Sequence, residues 1–180
     1  RHPRLTGVLG RHRRGGAEVS TFPAGLTLPG TTLETLVDAW TNYTPGWTGS
    51  TTDPVIVNGT MVGRYKRIGT TVHFTMLYTA GASDTFGSGF YSMSVPVAAS
   101  ASAVQLNILA QFFDASAVGA AQYLIGVGQL DAGASTVIRI RLMGGNNANA
   151  TVANWSATFP AGPAAGDQFG MSGTYEAAAV

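Results

Sequence analysis

Apolar and polar residues alternate in short runs along most of the chain. From Tyr43 onward the runs TMVGRYKRI, TVHFTMLYTA, FYSMSVPV, VQLNILAQFF, AQYLIGVGQL, STVIRIRLM, NWSATFP and DQFGMSGTYEA follow one another. They are separated by the turn-rich pieces GASDTFGSG, DASAVG, DAGAS, GGNNANA and AGPAAGD. About eight strands at this spacing, with no long helix among them, predict an all-β domain of the β-sandwich or jelly-roll type. Period-two alternation assigns faces. In TVHFTMLY, Val72, Phe74, Met76 and Tyr78 share the core side, leaving Thr71, His73, Thr75 and Leu77 on the other. In STVIRIRL, Ile138, Ile140 and Leu142 point inward and Arg139 and Arg141 outward. The stretch GRYKRIGTTVHF, residues 63–74, reads as a hairpin turning at Gly69 and Thr70, with its basic groups forming a polar face.

The first 40 residues break this pattern. Residues 1–30 have no sustained period and carry Gly and Pro throughout, so they are expected to form an extended arm. Residues 31–40, TTLETLVDAW, combine a Thr31/Glu34 capping box with Leu33, Leu36, Val37 and Trp40 at helical spacing. One short amphipathic helix is predicted, too short to stand alone in water. Its apolar stripe must pack either on its own domain or around a symmetry axis with copies of itself. The expected organisation is therefore an arm over 1–30, a helical neck over 31–40 and a β-domain over 41–180.

Composition narrows the partners. Only 11% of the 180 residues are charged, against about 25% in ordinary globular proteins, so the surface must be built largely from Thr, Ser, Gly, Asn and Ala. Such a surface suits extracellular β-proteins and subunits that hide much of themselves in an oligomer. The chain has no cysteine, which rules out disulfides and thiolate metal sites. The longest apolar stretch, ASAVQLNILAQFF, is broken by Gln105, Asn107 and Gln111 and falls short of the ~18 residues of a membrane span. No membrane partner is expected, and no secretory signal is read at the N-terminus. Charge is unevenly placed: Arg1, Arg4, Arg11, Arg13 and Arg14 against Glu18 give the first 18 residues +4, while the other five basic and eight acidic residues leave −3.

Candidate chemistry is sparse. His2, His12 and His73 have no metal-ligating spacing, and no metal or cofactor is expected. His73 could meet Asp53 or Asp84 in space, but no G-x-S-x-G motif supports a nucleophile, and GSGF at 87–90 reads as a turn. The acids Asp53, Asp84, Asp114, Asp131 and Asp167 fall in turns, where turn hydrogen bonding explains them more economically than glycoside hydrolysis. No phosphate-cradling loop is present. The arm arginines could neutralise nucleic-acid phosphates. An acidic protein surface explains the same charges, however, and the RNA-binding aromatic signature is absent. Asn42, Asn58, Asn149 and Asn154 head N-x-S/T sequons, a pattern that arises readily in so Asn- and Thr-rich a chain.

Residues 40–79, WTNYTPGWTGSTTDPVIVNGTMVGRYKRIGTTVHFTMLYT, together with FGSGFYSMSVPVAA and the closing GDQFGMSGTYEAA, carry a resemblance ordered along residues 36–177. The sequence resembles the C-terminal modules of bacteriophage tail-fibre and minor tail proteins, particularly of phages infecting actinobacteria, and related capsid decoration (head fibre) proteins. The resemblance implies a homotrimeric β-sandwich displayed on the virion surface, used for host-surface or glycan adhesion or for decorating the head, and no enzymatic activity. A short Arg-rich arm stands where a fibre would carry a shaft, which suits lacing over a capsid or tail protein. If a glycan is bound, Trp47, Phe86, Phe90 and Tyr91 are the candidate stacking residues, with core or trimer packing as the alternative for each. A polysaccharide hydrolase remains a lesser alternative.

Overall fold

A computed structural model describes residues 19–21, 27–29, 40–101, 108–130, 135–144, 151–158 and 160–178. The chain divides into two units, Arg1–Asp38 and Ala39–Val180. In the first, β1 (Val19–Thr21) and β2 (Thr27–Pro29) pair antiparallel, with Ser20 opposite Leu28. The arm residues Arg1, Arg4, Arg11, Arg13 and Arg14 and the neck residues Leu33, Leu36 and Val37 lie outside the described residues, as does the helix expected over 31–40, save its last residue. Trp40 is described: it belongs to no regular element and is exposed.

The second unit is all-β. It contains β3 (Thr41–Tyr43), β4 (Trp47–Gly49), β5 (Thr60–Ile68), β6 (Thr71–Thr79), β7 (Tyr91–Ser94), β8 (Ile108–Phe113), β9 (Tyr123–Leu130), β10 (Val137–Gly144), β11 (Thr151–Asn154) and β12 (Gln168–Glu176). The only helical element among the described residues is the 3-10 turn Gly119–Gln122. All ten strands join one antiparallel sheet in the order β3-β5-β6-β12-β8-β9-β10-β7-β4, with β11 beside β10. The ends of this path, β3 and β4, are separated in sequence only by Thr44, Pro45 and Gly46. From Tyr43 to Trp47 the chain can reach no more than about 14 Å, so the sheet curls until its two edges approach. Right-handed strand twist supplies the curvature. The link is fastened to β7: Gly46 N–H donates to Ser94 Oγ at 2.7 Å and Ser94 N–H to the Gly46 carbonyl at 2.8 Å.

Curling places one sheet face inside. Val72, Phe74, Met76 and Tyr78 of β6 are buried there, as are Ile138, Ile140 and Leu142 of β10, in agreement with the alternation of both runs. Ile108, Ala110 and Phe112 of β8, Phe169, Met171 and Tyr175 of β12, and Tyr91 and Met93 of β7 complete the lining. Trp155, just past β11, fills the centre. Its indole stacks on Trp47 (5.7 Å) and Phe169 (4.7 Å), meets Tyr91 and Phe112 at 4.9 and 5.3 Å, and donates from Nε1 to the Ala161 carbonyl. Tyr78 of β6 reaches Trp47 of β4 at 4.9 Å, so strands far apart in the path touch across the core. Gly128 makes room for this packing, because a Cβ there would press on Ile108, Ile138 and Met171.

The hairpin of residues 63–74 forms as its pattern predicts. Ile68 pairs with Thr71 across a two-residue turn in which Gly69 takes φ +61°, the left-handed conformation that tight hairpin turns require. Arg64, Lys66 and His73 share the outward parity. Arg67 differs: it lies opposite Val72, on the core parity, and its guanidinium caps the end of the sheet by donating to the carbonyls of Gly69 (2.8 Å) and Ala178 (2.9 Å).

Candidate functional site

The outward face of the sheet is where this chain departs most from an ordinary soluble surface. Strand register places Asn42, Arg64, Thr75, Ser172, Leu109, Val127, Arg141 and Asn154 side by side in one rung across eight paired strands. The adjacent rung holds Val62, Leu77, Gly170, Gln111 and Ile125. Between Arg64 and Arg141 the two rungs carry no charge, and Val62, Leu77, Leu109, Ile125 and Val127 are all exposed. Alternation puts these side chains outward because their neighbours in each strand face the core. Exposed apolar side chains gathered on one uncharged face, here interspersed with Thr75, Ser172, Gly170 and Gln111, suit an interaction surface. At the β3 end of the rung the Arg64 guanidinium lies over the Trp40 ring, 5.9 Å from its centroid, a cation–π contact.

At the other end, past Val127, the face opens into a groove of about 400 Å³ lined by Phe90, Arg141, Val152, Ala153, Asn154 and Ser156. Phe90 is 51% exposed. Its backbone is fixed on both sides: Phe90 N–H donates to Ser50 Oγ (2.9 Å), Ser50 N–H donates to the Phe90 carbonyl (2.9 Å), and Phe90 bridges Ser156. Arg141 and Asn154 stand directly opposite one another on β10 and β11. The Nε of Arg141 and the Oδ1 of Asn154 are buried without a hydrogen-bond partner. A larger groove of about 610 Å³ lies at the β3–β5 edge between Asn42, Tyr43, Met61, Arg64 and Leu77.

The four aromatic candidates separate. Trp47 and Tyr91 are in the core, so their ring faces are spent on one another and on Trp155. Phe86 is partly buried against Trp47 at 6.2 Å. Phe90 alone of the four presents itself outward, since it precedes the inward Tyr91 by one residue. Sequence reasoning did not single out Arg141 and Asn154 as its companions. The signal was the outward parity of Arg141 in STVIRIRL, but the β10–β11 register that pairs it with Asn154 is not written in either strand alone.

The loops beside this region are held by carboxylates. Asp84 Oδ1 accepts the backbone N–H groups of Val57, Asn58 and Gly59 at 2.7–3.0 Å, and Oδ2 accepts the Tyr78 hydroxyl (2.8 Å) and Gly81 N–H (2.9 Å). Burial raises its pKa, but the donors from Gly81, Tyr78, Val57 and Gly59 outweigh it and hold the carboxyl well below the usual range. Asp53 accepts Gly49 N–H, and Asp114 accepts from Ser116 and Ala117. Asp167, 1% exposed, accepts Ala115 and Ala164 N–H at 2.9 and 2.7 Å. Its pKa is raised, chiefly by burial. Asp131 lies outside the described residues. These four carboxylates thus do turn work. His73 Nδ1 pairs with Thr174 Oγ1 at 2.9 Å on the outward face. No group of three His, Cys, Asp or Glu able to hold a metal occurs among the described residues.

Comparison of the chain with protein-family models, with curated proteins and with solved structures gives no match.

Proposed function

We propose that this chain is a structural protein of a bacteriophage virion, displaying a homotrimeric β-sandwich on the particle surface and held there through its N-terminal arm. In this reading the exposed loops and grooves contact host-surface glycans. The observation that carries it is the uncharged apolar stretch on the outward sheet face, from Val62 and Leu77 through Leu109, Ile125 and Val127. Interface cores are depleted of charge in this way, homo-oligomers most of all. Tyr78 meeting Trp47 across the core supports the sandwich arrangement, since two parts of one curled sheet then face each other.

Decoration of the head, with the chain acting as a cement protein, is the second reading. The concentration of five arginines in the first 14 residues of an otherwise acidic chain favours it, because such an arm suits an acidic shell. Sedimentation of the purified chain tests the oligomer: a trimer is expected, and Leu109→Glu should yield a monomer with an unchanged circular dichroism spectrum. A wild-type chain that sediments as a monomer at micromolar concentration overturns the trimer. Particles assembled with residues 1–30 deleted should lose the protein, and undiminished occupancy would sink the anchoring role. Labelling intact particles then decides between head and tail.

A further inference from the structure

We infer that the groove beside Phe90 is a carbohydrate subsite that takes a pyranose ring through Phe90, Arg141 and Asn154. The proposal deepens the adhesion reading above and rests on it for its biological occasion. The groove's volume, about 400 Å³, falls within the ~300–1,000 Å³ of small-molecule sites. No acidic residue lines it. What sets it apart is the pair of buried polar atoms without partners, the donor Arg141 Nε and the acceptor Asn154 Oδ1, on side chains that face each other across β10 and β11. Nearly all buried polar atoms in native proteins are satisfied, and the exceptions call for an explanation.

The explanation must offer these atoms both a donor and an acceptor. A phosphate or carboxylate offers acceptors alone: it would satisfy the arginine but meet Asn154 only through Nδ2, with the amide turned over. Adjacent sugar hydroxyls supply both: one donates to Asn154 Oδ1 while its neighbour accepts from Arg141 Nε. Turning the two side chains towards the groove they line gives up no existing hydrogen bond at either atom, so the desolvation already incurred becomes binding energy. Phe90 provides the third element. Its half-exposed ring offers an apolar face to the C–H face of a pyranose, and its backbone, bonded to Ser50 and bridged to Ser156, holds that ring in place. Ser156 also lines the groove.

The test is a titration of the full ¹⁵N-labelled chain with glucose, galactose, mannose, rhamnose and N-acetylglucosamine at millimolar concentrations. At least one sugar is expected to shift the Arg141 Nε–H and Asn154 side-chain amide signals together. Phe90→Ala, at an exposed position, should weaken that binding about tenfold or more. Arg141→Lys, which keeps the charge but removes the planar Nε–H donor, should weaken it similarly, while Val118→Ala, on an exposed turn elsewhere, should leave it unchanged. The inference is overturned if none of the sugars moves these signals, if Phe90→Ala binds as the wild type does, or if inorganic phosphate or a short peptide alone produces the shifts. Presence of the chain on particles is scored separately, so a failed sugar titration leaves the virion reading standing, and sugar binding by a chain absent from particles leaves the groove standing.

Discussion

Asp84 and Asp167 put the same functional group to opposite electrostatic use. The five donors around Asp84 favour its ionised form, so its stabilisation is present above the ordinary carboxylate pKa and is lost as pH falls through the lowered folded value. Asp167 is buried with two backbone donors and the Asp114 carboxylate nearby, and its pKa is raised. Its contribution is complete below the ordinary carboxylate pKa and is lost as pH rises through the raised folded value. Asp84→Asn should therefore cost about 1–3 kcal/mol at neutral pH, since the amide meets the Tyr78 and Gly81 donors with a donor of its own. Denaturant unfolding measures this. Asp167→Asn should gain on the wild type as pH is raised from mildly acid to neutral, read as a convergence or crossing of the two Tm curves. A Tm difference that does not change with pH would show that Asp167 is not the group responsible. Tyr43 offers a third residue-scale test: its buried hydroxyl has no partner, so Tyr43→Phe should leave stability unchanged or raise it by up to about 1 kcal/mol.

At the scale of elements, Trp155 ties four strands together, β4, β7, β8 and β12, while belonging to none. Trp155→Ala should cost about 3–5 kcal/mol, measurable by the same unfolding, because its ring meets Trp47, Tyr91, Phe112 and Phe169 at once. The long strands were legible in the sequence. β5, β6, β10 and β12 run eight or nine residues, long enough for alternation to fix both their existence and their faces. Two were not legible for a physical reason: β3 and β4 have three residues each and flank Pro45, too few for a period, and they exist because longer neighbours offer them an edge. NWSATFP, residues 154–160, reads as a strand from its composition, yet β11 precedes it and shares only Asn154 with it, and the chain then turns so that Trp155 enters the core. The groove was legible only as a loose aromatic, Phe90. Its polar pair depends on a register between β10 and β11 that runs across a stretch rich in Gly and Asn.

The whole molecule is organised by an outward face that carries its charges at the ends of a rung rather than in the middle. If copies associate through that face, the contact is apolar, and self-association should be nearly insensitive to salt. Sedimentation at low and high ionic strength checks this, and dissociation in high salt would place the contact on the Arg64, Lys66 and Arg139 side instead. The final strand has a consequence in time. β12 inserts between β6 and β8 along its length, so while the chain is being synthesised those two strands have open edges until residue 176 has left the ribosome. The interior of the sheet is the last part to close, and non-local pairing of this kind folds slowly. A chain ending before Gln168 should therefore aggregate rather than fold to a smaller sheet, because it leaves two adjacent strand edges exposed in its middle. Loss of β12 should therefore cost the folded protein as a whole, and with it the face itself, because the same strand supplies Gly170 and Ser172 to the two outward rungs.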